Sequence, residues 1–283
     1  MVIVSFIVKN TTKWGLLDLV CPHTCRGCGR LGAVLCECCK NNIKTMNLAI
    51  CPLCKRSVAM KAGKCLDCCE GGDGVSIVGD GVGKEWMCSD CEVPLLRLGV
   101  VGWREGALAK LIKDFKYKSV RAAGEVLAEL LDLRIPENFV DLRGGEIGVK
   151  SDDNMMNGCG ITDGLGRRVE VVVVPLPTIG RHVRERGLDH TAILAKKLAR
   201  KRGWKYERIL GRATDMVQVG TKAAERKVQA EKAYMVVGGV EAEKIYLLVD
   251  DVWTTGATML AAEKVLRDAG AKKIAGVVLA TGR

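Results

Sequence analysis

The apolar positions of this chain change their spacing along its length, and the spacing separates three regions. From residue 169 onward, short apolar runs alternate with amphipathic stretches. The first run, VEVVVVPLP (169–177), is almost continuously β-branched, as expected of a strand buried on both faces. It is followed by DHTAILAKKLARKRG (189–203), a helix with Asp189 as its predicted N-cap and Gly203 as its stop, and by a second helical stretch at 221–233. KIYLLVD (244–250) predicts a strand, ATMLAAEKVLRDAG (257–270) a helix, and KIAGVVLAT (273–281) a strand. In that helix Ala262, Val265, Leu266 and Ala269 are spaced to form one apolar face. Alternating strands and helices of this kind imply a parallel α/β sheet flanked by helices.

Upstream, LLRLGVVGW (95–103) predicts a strand leading into a basic amphipathic helix at 105–118, with a second helix at 121–133. Residues 141–168 are rich in Gly, Asp and Asn without a sustained period and predict a flexible surface insertion. Residues 20–92 show little periodicity and many cysteines. The domain division that follows is a Cys-rich module over 1–92 and an α/β domain over 93–283. The longest apolar runs are too short for a membrane helix, and the N-terminus lacks the features of a signal peptide, so the expectation is a cytoplasmic protein without membrane insertion.

Composition sharpens two points. All of the 14 cysteines except Cys159 lie between Cys21 and Cys91, mostly as Cys-x-x-Cys pairs, which in a reducing compartment indicates metal binding rather than disulfides. Cys25, Cys28, Cys36 and Cys39 form two knuckles spaced to set four thiolates around one Zn²⁺, an iron–sulfur cluster being the alternative that such a set allows. A second set opens with Cys51 and Cys54 and closes with either Cys65 and Cys68 or Cys88 and Cys91. Four thiolates leave a zinc ion no open position, so the module is read as structural, for folding and docking. The net charge of +11 favours anionic partners: phosphates, nucleotides or nucleic acid.

The candidate chemistry lies in LLVDDVWTTGATM (247–259). An apolar strand ends in Asp250 and Asp251, and the small residues Thr254, Thr255, Gly256, Ala257 and Thr258 form a turn at the start of a helix. Backbone N–H groups and hydroxyls in such a turn suit a phosphate, aided by the positive end of the helix. The carboxylates would repel that phosphate unless they serve sugar hydroxyls or a divalent cation, which points to a phosphorylated sugar. The bland alternative is that the acids merely cap the helix. After the buried strand, Arg181, Arg184 and Arg186 surround a turn ending at Gly187, a loop suited to bidentate phosphate contacts. His190 is read as a surface residue at the start of the next helix.

The acid–turn string resembles the phosphoribosyl-diphosphate (PRPP) motif of type I phosphoribosyltransferases, with Trp253 bulkier than the usual small aliphatic residue. PLPTIGRHVRERGLDH (175–190) and the stretch 211–236, with Arg212, Gln218, Arg226 and Tyr234, resemble the ComF family of competence-associated, phosphoribosyltransferase-like proteins with an N-terminal zinc segment. Asp189 and Gln229 stand where the family usually has Asn. The resemblance runs from Trp14 to Thr281, the 141–168 insertion and the additional cysteines being departures. It implies a type I phosphoribosyltransferase-like sheet, with Asp250 and Asp251 on ribose hydroxyls, Thr254–Thr258 on the 5-phosphate, and the arginine loop on the diphosphate with Mg²⁺. Family spacing also favours Cys65 and Cys68 as the closing pair of the second metal site. Two functions stay open: phosphoribosyl transfer to an unidentified acceptor, or a non-catalytic competence accessory that binds single-stranded DNA and DNA-uptake or helicase-type proteins.

Overall fold

The computed structural model describes residues 23–44, 46–50, 57–61, 64–65, 75–78, 85–88, 96–118, 121–135, 161–162, 168–178, 180, 183, 185, 187–212 and 234–282. The expected sheet is present. Its parallel part has five strands: β6 (Leu96–Trp103), β9 (Val171–Pro175), β10 (Lys205–Tyr206), β13 (Ile245–Trp253) and β14 (Lys273–Thr281), in the order β10-β9-β13-β14-β6. Beyond β6 the sheet continues antiparallel through β1 (Met46–Ile50), β2 (Ser57–Lys61) and β3 (Lys64–Cys65), all from the Cys-rich segment. Three short antiparallel pairings complete the strands. They are β4 (Val75–Val78) with β5 (Glu85–Cys88), β7 (Ile161–Thr162) with β8 (Arg168–Val169), and β11 (Leu210–Arg212) with β12 (Tyr234–Val236). The β7–β8 pairing lies within and just after the segment read as an insertion. The helix expected at 221–233 lies outside the described residues.

All five residues of β9 are buried, because helices cover both of its faces. One face carries Val173, Leu247, Val249 and Val277, which pack against α2 (Gly106–Lys118), α3 (Arg121–Asp132) and α4 (His190–Arg202). The other carries Val172, Val174, Leu248 and Val278, which pack against α5 (Ala257–Asp268) and the β11–β12 pair. On α2 the buried residues Leu108, Leu111, Ile112 and Phe115 fall at the predicted helical spacing. Helix α4 begins and ends as expected: Asp189 accepts from the Ala192 N–H at 3.1 Å, and Gly203 closes the helix in the left-handed conformation, φ 65°.

Two expectations need correction. Of the predicted face of α5, Ala262 and Leu266 are buried and Val265 packs against them partly buried, joined by Met259, Leu260 and the buried Glu263. Ala269 is the exposed C-cap and belongs to no face. The strand at 244–250 does not end at the acids. It runs through them to Trp253, because β14 pairs with it along its whole length, from Ile245 opposite Lys273 to Trp253 opposite Thr281. Among the described residues, no helix is long and apolar enough to cross a membrane.

Gly99, in β6, shows how tightly the chain after α3 crosses the sheet. A Cβ on Gly99 would lie 2.0 Å from the Arg134 carbonyl oxygen, a backbone atom that cannot swing aside. Gly99→Ala should therefore lower unfolding stability by about 1–3 kcal/mol in urea titrations, the range for an overpacked core.

Candidate functional site

Adjacent residues of a strand point to opposite faces, and β13 applies this rule to its two acids. Asp251 falls on the face of α2, where it forms an ion pair with Lys116 from the last turn of that helix. Asp250 falls on the face of β12, where the charges of Arg212 and the hydroxyl of Tyr234 are felt. Arg212 is held in place by donating from Nε to the Pro177 carbonyl at 3.0 Å, and its Nη2 lies 3.4 Å from the Tyr234 hydroxyl. Asp250 Oδ1 also accepts from the Asp251 N–H at 2.8 Å. Loss of water contact, then repulsion from Asp251, pushes the Asp250 carboxyl up to about 7, while the Asp251 N–H, Lys116 and Arg212 pull the other way.

The turn that follows leaves Thr254, Thr255, Ala257 and Thr258 exposed at the N-terminus of α5, with Gly256 buried beneath them. Gly256 has φ 74°, and no side chain caps the helix. A Cβ on Gly256 would lie 2.2 Å from the Trp253 ring, so the bulky Trp253 is accommodated because the residue beneath it has no side chain. The Ala257 N–H donates to the Thr255 hydroxyl oxygen at 3.4 Å, and the N–H groups at this helix start, next to three hydroxyls, suit an anion.

Of the arginine loop, Gly187 is described and takes the left-handed conformation at φ 70°. Arg181, Arg184 and Arg186 lie outside the described residues. The end of the loop is anchored at Asp189, which accepts from Arg208 Nη2 at 2.7 Å and from the Thr178 hydroxyl at 3.3 Å in addition to capping α4. Asp189 thus serves as cap and charge partner at once. His190 is not a surface residue. It is 3% exposed and packs edge-on against Phe115 of α2, with ring centroids 4.9 Å apart, because it is the first residue of a helix whose N-terminus is pressed onto α2.

The knuckles of the front end converge. The ligand atoms of Cys25, Cys28, Cys36 and Cys39 all lie within 4.8 Å of one another. Both the Cys25–Cys36 and the Cys28–Cys36 sulfur separations are 3.6 Å. Zn–S bonds of about 2.3 Å in a tetrahedron place sulfurs about 3.8 Å apart, so the set fits a metal such as zinc. The N–H groups of Gly27 and Cys36 each donate to the Cys25 sulfur at 3.4 Å. Burial opposes ionisation of Cys25, but the N–H groups of Cys36, Cys28 and Gly27 prevail and lower it to about 6. Cys39 is pushed up to about 12, first by the Cys36 thiol, then by burial and by the other two sulfurs. Four thiols this close cannot all ionise unless a cation holds them together. Gly27 is required because a Cβ there would lie 2.5 Å from the Cys39 sulfur. Cys38, on the short helix α1 (Glu37–Asn41), is exposed and outside the set. Cys51, Cys54, Cys68 and Cys91 lie outside the described residues. Cys65 and Cys88 are described only as the backbone ends of β3 and β5.

Lys116 was not singled out by the sequence. Its signal was its place one turn after Ile112, on the border of the apolar stripe, whereas Lys110 and Lys113 of the same helix are exposed. Arg26 lies between the first two knuckle cysteines, and nothing in the local sequence sets it apart. It pairs with the buried Asp114 of α2 and docks the cysteine module on that helix.

Fold and sites together define an α/β protein with a five-stranded parallel sheet, an acid pair before a glycine turn, and a four-cysteine cluster that can hold a metal. No protein-family model matches the chain. Competence protein ComFC of Streptococcus pneumoniae (strain ATCC BAA-255 / R6) is 33% identical to it over 72 residues, which make up 25% of this chain and 32% of that protein. The matched part is thus about a third of the curated relative.

Two outcomes test these sites. Cys36→Ser should remove about one metal equivalent per chain in elemental analysis, while Cys38→Ser leaves the content unchanged. For Asp250, a folded pKa above the ordinary carboxyl value means that the folded state holds the proton more tightly. Its stabilising contribution is then complete below the unfolded pKa of about 4 and lost as pH rises through about 7. Asp250→Asn should therefore melt above the wild type at about pH 8, and the gap should close at about pH 4.

Proposed function

We propose that this chain is a ComF-type protein whose α/β unit binds PRPP with Mg²⁺. The observation that carries the reading is the strand–acid–glycine-turn–helix arrangement at residues 245–268, coupled with the motif string that fills it. In this reading Asp250 and Asp251 engage the ribose hydroxyls. Thr254, Thr255, Gly256, Ala257 and Thr258 receive the 5-phosphate at the start of α5. Arg181, Arg184, Arg186 and Gly187 receive the diphosphate, an assignment that rests on the ComF-like sequence pattern. Mg²⁺, when bound, would offset the charge of the diphosphate. Where a nucleophilic acceptor is present, its bond to the anomeric carbon forms as the carbon–diphosphate bond breaks, and the protein contributes positioning and charge stabilisation. Residues 1–92 form the metal-binding module and 93–283 the ligand-binding domain, with 141–168 as an insertion. A second metal site is assigned to Cys51, Cys54 and one of the two closing pairs, Cys65 with Cys68 or Cys88 with Cys91.

A second reading is a competence accessory protein that binds single-stranded DNA and DNA-uptake partners in the cytoplasm. The partial similarity to a competence protein and the net charge of +11 favour it. The two readings are compatible in one molecule.

Calorimetry with PRPP and Mg²⁺ separates them. The wild type should bind, and Asp250→Asn with Asp251→Asn should abolish binding; unchanged affinity in that double variant overturns the site assignment. A protein that binds no PRPP, yet shifts single-stranded DNA with an affinity that falls steeply with salt, supports the accessory reading alone.

A further inference from the structure

The Lys116–Asp251 pair is unlike the surface ion pairs of this protein. The two side chains retain 12% and 18% of their exposure, whereas Lys264 and Asp268, an ordinary helix-surface pair, retain 70% and 64%. The ammonium is also delivered by a fixed piece of backbone. Of three consecutive residues in the C-terminal half of α2, Asp114 is tied to Arg26 of the cysteine module and Phe115 is packed on His190 at the start of α4. Lys116 then reaches the acid pair.

The charged or titratable groups that act on the two carboxylates include Lys116, Arg212 and Tyr234. Arg212 is committed to the Pro177 carbonyl. The ammonium on Asp251 is therefore the neighbouring cation free to give way, and its flexible four-carbon stem lets it move without the helix.

We propose that Lys116 is an exchangeable counter-cation of this site. It neutralises Asp251 while the site is empty, and it is displaced when sugar hydroxyls or a divalent cation take the carboxylate. Once displaced, the ammonium stays beside the site, able to meet the phosphates that arrive with the same ligand. The proposal rests on reading the acid pair as the sugar end of a PRPP site. Lys116 thus holds Asp251 in the empty site and turns to the phosphates once displaced. Its effect is selective: a divalent cation alone competes with a resident charge, whereas a ligand carrying both hydroxyls and phosphates compensates both partners of the broken pair.

The test uses Mn²⁺ alone, followed by electron paramagnetic resonance, on the full chain. Lys116→Met should bind Mn²⁺ about tenfold more tightly than the wild type, since the competing charge is gone. Lys116→Arg should behave as the wild type, and adding Asp251→Asn to Lys116→Met should remove the gain. Mn²⁺ affinity in Lys116→Met no higher than in the wild type overturns the proposal. A second measurement needs no variant. The side-chain ammonium resonance of Lys116 in the wild type should shift when Mg²⁺ and then PRPP are added, and a resonance unmoved by both also overturns it. A gain in Mn²⁺ affinity without PRPP binding by the wild type keeps the counter-cation and removes the PRPP reading. PRPP binding without that gain does the reverse.

Discussion

The site depends on one strand, β13, being covered on both faces, its first five residues buried and its acids half-buried. In such a strand neighbouring side chains face different layers, so a side chain on one layer contacts one of two adjacent acids directly and reaches the other only through its charge, as Lys116 reaches Asp250. Asp250 and Asp251 therefore have separate surroundings: Arg212 and Tyr234 for one, Lys116 for the other. A carboxylate kept from water needs a partner or a proton. Asp251 has an ammonium partner in Lys116, while burial and the neighbouring charge of Asp251 push the Asp250 carboxyl up. The turn beyond them has a constraint of its own, since Trp253 and the left-handed Gly256 fit together only without a Cβ.

Helix α2 links this site to the cysteine cluster. Its apolar stripe holds it to the sheet, and its final turn sends one side chain to the cysteine module, one to α4 and one to the acid pair. The cysteine module is itself docked by more than one bond. Cys25, Val34 and Leu35 share a core with Leu111 and Phe115, and Lys40 of α1 lies 3.7 Å from Glu129 of α3. The order of β1 and β6 adds to this, because the strand that follows the first cysteine cluster is hydrogen-bonded to the edge of the parallel sheet. A metal held by these four cysteines would have no open position for chemistry, and the cluster packs on the same helix that supplies Lys116.

Much of the fold was legible because its signals are local. The Val171–Val174 run announces a strand covered on both sides. Asp189 and Gly203 bracket α4, and the knuckle spacing announces the thiolate set, since each depends on residues a few positions apart. What failed did so where a distant segment decided. The extension of β13 past the acids is imposed by β14, and the burial of His190 by α2. The pairing of β1 with β6 joins segments that composition alone separates.

The sequence by itself determined the alternation of strands and helices, the two Cys-x-x-Cys knuckles and the string of acids, threonines and glycine, because periodicity, spacing and turn chemistry are properties of neighbouring residues. Only the tertiary structure decided which face each acid takes, which of several lysines on α2 meets them, and that the cysteine module is anchored to that same helix. Lys110, Lys113 and Lys116 are chemically identical in the chain. Packing of the stripe Leu108, Leu111, Ile112 and Phe115 turns two of them to solvent and one toward a carboxylate.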